Sequence, residues 1–107
     1  MIVRNINGTG DNKKCPCGSW IKHWINHTGE TPTHCSAPDC KDKKLVGAHV
    51  QKENDNRWYI IPLCKDHNNL KGGDLEVFEK TVFISARRDK CLFRLVTAAI
   101  RKILRQS

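Results

Sequence analysis

The apolar and polar positions of this chain fall into several short patterns rather than one long one. In SWIKHWINHTG, Trp20, Ile21, Trp24 and Ile25 gather on one face at about 100° per residue, with Lys22 and Asn26 opposite. The pattern predicts a helix, capped by Ser19 and ended by Gly29, which can take the left-handed conformation. LVGAHVQ and RWYIIPL are apolar and rich in β-branched residues, and KENDN between them is turn material, so the two predict an antiparallel hairpin. CKDHNNLKGG predicts a short helix stopped by Gly72 and Gly73, and LEVFEKTVFISA is ambiguous, with a strand preferred after Lys80. Over residues 89–106, Leu92, Leu95, Val96, Ala99, Ile100, Ile103 and Leu104 follow helical spacing. Arg94, Arg101, Lys102 and Arg105 lie off that stripe, so a basic amphipathic C-terminal helix is expected. Residues 1–14 are rich in Asn and Gly without a period and predict a flexible N-terminal arm, leaving residues 15–107 as a single domain.

Composition changes this picture in two ways. No apolar run approaches the roughly 20 residues of a membrane span, and MIVRNINGTGDNKKC lacks the apolar segment of a signal peptide. A cytoplasmic chain with no membrane partner is the expectation. Its six cysteines, beside five histidines, then favour bound metal over disulfides. A chain of 107 residues also has a modest core that a structural zinc ion would reinforce. The second change concerns charge. The net charge is +8, and residues 87–107 hold seven basic side chains against one acidic one. Such a tail either attracts phosphate backbones or is simply a solvated helix face.

His23 and His27 followed by TGETP and Cys35 resemble the junction between tandem two-cysteine, two-histidine zinc fingers. The spacing excludes that reading. Such a finger needs about 12 residues between its second cysteine and first histidine, and only five separate Cys17 from His23. The two histidines then read as surface or boundary residues of the helix, with a second site built from Cys15, Cys17, His23 and His27 as the alternative.

A more coherent set runs from Cys35 onward. Cys35 and Cys40 form one close pair, and Cys64 and His67 form another at the junction of hairpin and helix. Two pairs on two tight turns can close a tetrahedron around one zinc ion, and four protein ligands leave no open position, so the site would be structural. Cys15 and Cys17, in CPCG, form a knuckle-like turn that would be the substitute for the first pair.

With Ala48-His49-Val50, Leu63-Cys64, His67-Asn68 and Lys71-Gly72, the segment over residues 35–72 resembles the HNH nucleases of the ββα-metal, treble-clef type. The resemblance implies an α+β fold with a zinc-stabilised hairpin-plus-helix core, here carrying an N-terminal helix and a C-terminal amphipathic helix. It implies that His49 is the general base of phosphodiester hydrolysis. It also implies that Asn68 helps hold a catalytic divalent ion (magnesium, manganese or nickel). Lys71, Arg87, Arg88, Arg94, Arg101 and Lys102 are the candidate contacts to DNA or RNA. The stretch departs from the family at Ala48, where many members carry an acidic metal ligand, and at Trp58-Tyr59-Ile60, where an asparagine is expected. Two other functions compete with the nuclease. One is a non-catalytic zinc module that binds nucleic acid; the other is an interaction module that self-associates through the C-terminal helix.

Overall fold

The computed structural model describes residues 1–6, 18–38, 40–70 and 73–87. These form an α+β unit with an antiparallel five-stranded sheet and two helices. The strands are β1 (Ile2–Asn5), β2 (Leu45–Lys52), β3 (Tyr59–Cys64), β4 (Asp74–Glu76) and β5 (Ile84–Ser85), in the order β4-β1-β2-β3-β5. Helix α1 spans Trp20–Thr28 and α2 spans Lys65–Asn68. The expected C-terminal helix, with Arg88, Arg94, Arg101 and Lys102, lies outside the described residues, as do Lys71, Cys15 and Cys17. Among the described residues no helix is long and apolar enough to cross a membrane.

The hairpin β2–β3 is the centre of the sheet, paired from Leu45↔Cys64 to Val50↔Tyr59. Strand alternation gives its two faces different work. Ala48, Val50, Ile61 and Leu63 join Val3, Cys35, Ala37, Cys64 and Val77 in one buried apolar cluster. Gly47 and His49 point the other way, toward α1. A Cβ on Gly47 would lie 2.4 Å from the Trp20 carbonyl carbon, so the helix backbone sits directly on the strand. The expected caps of α1 are present. Ser19 Oγ accepts from the Lys22 N–H at 3.2 Å, and Gly29 adopts φ 71°.

Residues 2–5 correct the expectation of a loose arm. They form β1, which pairs with β2 on one side and β4 on the other. Its inward positions are Val3 and Asn5, both buried. A buried asparagine where the alternation calls for an apolar residue is why the strand is hard to read in sequence.

His23 also differs from the surface or boundary position expected of it. It is fully buried, and its Nε2 lies 2.8 Å from the Ser85 carbonyl oxygen, so that nitrogen must be the donor. Burial lowers its pKa below 6.5, and the Ser85 bond opposes the shift. A lowered folded-state pKa means that the unfolded chain takes up the proton first. The His23 contribution is therefore intact above about pH 6.5 and lost as pH falls below it. His23→Gln keeps a donor near Nε2 without titrating. In urea melts of zinc-loaded protein, wild type should lose stability relative to this variant below that pH, and parallel pH profiles would refute the assignment.

Candidate metal centre

Three segments meet at one end of the hairpin. The Cys35–Cys40 knuckle is pinned to β3 by Ser36, whose N–H and hydroxyl both donate to the Pro62 carbonyl, at 2.9 and 2.7 Å. Strand β3 ends at Cys64, whose sulfur caps the first turn of α2 by accepting from the His67 N–H at 3.4 Å. One helical turn then returns His67 to the same point. The sequence thus folds two close pairs into one cluster by two short local devices, a pinned loop and a capped turn.

Cys35, Cys40, Cys64 and His67 present one ligand atom each, and all four atoms lie within 4.8 Å of one another. A tetrahedral zinc site with sulfur at about 2.3 Å and nitrogen at about 2.0 Å requires S···S of about 3.8 Å and S···N of about 3.5 Å. Cys40 Sγ and Cys64 Sγ are 3.8 Å apart, and Cys35 Sγ and His67 Nδ1 are 3.6 Å apart. Cys64 Sγ and His67 Nδ1 are closer, at 3.0 Å. None of the three cysteines forms a disulfide. Burial pushes the Cys35 thiol up to about 11, against the pull of the Cys64 and Ala37 backbone N–H groups. A dication at the centre reverses that preference, because thiolate is the form that binds metal. Cys64 N–H donates to Cys35 Sγ at 3.3 Å, which helps hold a thiolate there. The donor set is sulfur-rich and closed, which fits a structural zinc ion.

No protein-family model matches the chain, and neither a curated protein nor a solved structure matches it. Any function has to be read from the residues themselves.

The two residues proposed for catalysis lie on different elements, His49 on β2 and Asn68 on α2. His49 is 5% exposed and lies between Trp20 and Trp58, with ring centroids at 4.6 and 6.2 Å. Both rings meet the imidazole edge-on. Ala48, where the family has its acidic ligand, points to the opposite face and is buried in the apolar cluster. Asn68 is on α2, whose carbonyl oxygen is bonded by Asn5. Asn5 pairs with Val50 and so lies on the Ala48 face, away from His49.

The described residues give no support to a catalytic divalent ion. Near Asn68, the buried oxygens without a partner among the described residues are Asn68 Oδ1 and Asn5 Oδ1, both neutral carboxamides. Magnesium sites are built on at least one carboxylate. Among the described residues, no second group of three His, Cys, Asp or Glu side chains converges.

Of the candidate phosphate contacts, Arg87 is described and is exposed just beyond β5. Sequence reasoning passed over a different set. Lys41, Lys43 and Lys44 follow the first ligand pair, and Lys65 follows Cys64; all four are exposed. The register Leu45↔Cys64 brings Lys44 and Lys65 to the same end of the hairpin as the metal ligands. By contrast, Arg57 is held by Asp55 through two bonds of 3.0 Å, and Arg4 faces Asp74 at 3.8 Å. The four lysines form no ion pair with another described residue. The signal available in sequence was CKDKK beside CK, two ligand cysteines each followed by lysine.

Proposed function

We propose that this chain is a zinc-stabilised module, related in plan to the treble-clef core of HNH nucleases, that docks on nucleic acid without cleaving it. The observation that carries the reading is the exposed lysine rim, Lys41, Lys43, Lys44 and Lys65, at the end of the hairpin that the Cys35, Cys40, Cys64 and His67 cluster would lock in place. The net charge of +8 supports the same partner, and the basic residues over 87–107 add to it. Zinc is the scaffold in this reading. It fixes the two lysine-bearing turns side by side, and phosphates supply the complementary charge.

Fluorescence anisotropy with labelled single- and double-stranded oligonucleotides tests it. Binding should weaken steeply with salt, on the order of tenfold or more between 50 and 200 mM. Replacing all four lysines with glutamine should lower the salt slope by about two to four. Binding that ignores salt, or a quadruple variant that binds like wild type, would remove the lysine rim from the function.

The nuclease remains the second reading because His49 stands at the strand position the resemblance implies. A plasmid-nicking assay with magnesium, manganese and nickel separates the two. Metal-dependent nicking that disappears in His49→Ala would replace the docking module with an enzyme. Zinc-loaded protein that binds without nicking is the expected result.

A further inference from the structure

Asn5 is the least expected polar residue of the interior. It is fully buried, yet it sits at an inward position of β1. Its Nδ2 donates to the carbonyl oxygens of His67 at 3.1 Å and of Asn68 at 2.9 Å, 62 and 63 residues away. Two carbonyl acceptors fix which end of the carboxamide is nitrogen, because the flipped group would set oxygen against oxygen. Among the described residues Oδ1 then has no partner. Its backbone N–H is also committed, to the Gly73 carbonyl at 3.1 Å.

Burying an amide with one orphaned oxygen is costly, and an apolar residue at this position would avoid the cost. What the asparagine supplies is a tether. Helix α2 has four residues and too few internal bonds to hold its own shape. Of its terminal carbonyls, that of His67 accepts from the Leu70 N–H at 3.2 Å, a bond that is local to the turn and does not tie it to the sheet. Asn5 supplies donors to two of them, and one belongs to the metal ligand His67.

We propose that Asn5 is a positioning residue of the metal centre, tethering α2 to β1 so that the His67 imidazole stays on the three sulfurs. This rests on the metal reading of Cys35, Cys40, Cys64 and His67. The role is indirect, since Asn5 touches the His67 main chain rather than the ion. Changing the groups that orient a ligand typically costs 10–100-fold in metal affinity.

The test uses the full chain loaded with cobalt(II), whose visible bands report ligand set and geometry. Asn5→Asp is nearly isosteric but presents a carboxylate to the two carbonyls. Its ligand-field bands should shift toward those of His67→Ala, and metal transfer to a chelator should speed up about tenfold or more. Val3→Ala, on the same strand and equally buried, should lower stability while leaving the cobalt spectrum unchanged. If Asn5→Asp keeps the wild-type spectrum and release rate, the tether is refuted. Asn5→Ser, which lacks the reach, provides a second reading of the same bands. If both Asn5 variants fail to fold in excess metal while Val3→Ala folds, Asn5 serves the sheet as a whole and the proposal falls. A wild-type chain that shows no thiolate-to-cobalt charge-transfer band would instead sink the metal reading itself.

Discussion

Removing the metal should unfold this protein. Structural zinc contributes on the order of 10–16 kcal/mol of apparent binding free energy in small zinc-finger peptides at neutral pH. A domain of this size has a net stability of roughly 5–15 kcal/mol. The cluster is not peripheral. Cys35 and Cys64 are themselves part of the buried core, Cys64 caps α2, and the knuckle is bonded to β3 through Ser36 and Pro62. Without the ion, two buried thiols and an imidazole lose their common partner, and the two turns they close lose their constraint. Metal analysis of the purified chain should give one zinc at this site. Excess chelator should abolish the cooperative urea transition and the dispersed amide spectrum, with recovery on adding zinc back. Cys35→Ser and Cys64→Ser should lose both metal and fold. Cys15→Ser with Cys17→Ser should keep that ion. If the Cys15/Cys17 variant loses the ion and Cys35→Ser keeps it, the first ligand pair has been misassigned. A chain that stays folded with no metal would show that the apolar cluster suffices alone.

The convergence of the four candidate ligands was legible because it is written locally. Close pairing within Cys35–Cys40 and Cys64–His67 needs only two turns, and turn chemistry is visible in a short window of sequence. The hairpin was legible for the same reason, from two apolar runs around KENDN, and so were the Ser19 and Gly29 caps of α1. What escaped depends on partners far along the chain. Val3 and Asn5 become a strand because β2 and β4 receive them, and one of their two inward residues is polar. His23 is polar by composition and buried by context, since α1 packs on the sheet and brings its imidazole to the Ser85 carbonyl of β5. The lysine rim was overlooked because charge was counted along the chain, where residues 87–107 dominate, rather than around the ligands. His49 shows the limit of a motif. The triplet fixes a strand position, but the acid that many family members carry beside it is here Ala48, buried on the opposite face of the sheet.

Gly47→Ala should be among the most damaging single substitutions outside the metal ligands, although it adds one methyl group. The new Cβ would stand 2.4 Å from the Trp20 carbonyl carbon, 2.5 Å from the Ile21 nitrogen and 2.7 Å from Trp20 Cβ. Two of these are backbone atoms at the start of a helix, so no rotamer change relieves the overlap. The helix must lift from the strand. Overpacking in a core costs about 1–3 kcal/mol when side chains can adjust, and a backbone clash puts this substitution at or above the upper end. Lifting α1 also separates Trp20 from His49, which it meets at 4.6 Å, and draws Trp24 Nε1 away from the Val82 carbonyl it bonds at 2.9 Å. The metal ligands lie on other segments, so the ion should remain bound. The expected result is therefore a split: urea midpoint sharply lowered, tryptophan fluorescence shifted toward the exposed range, zinc stoichiometry unchanged. Gly29→Ala is the comparison, since its Cβ meets nothing within 4 Å and only its φ of 71° is strained. It should cost about 1 kcal/mol through the cap alone. If Gly47→Ala proves no worse than Gly29→Ala, α1 does not sit against β2 as described. The enclosure of His49 by Trp20 would then have to be given up with it.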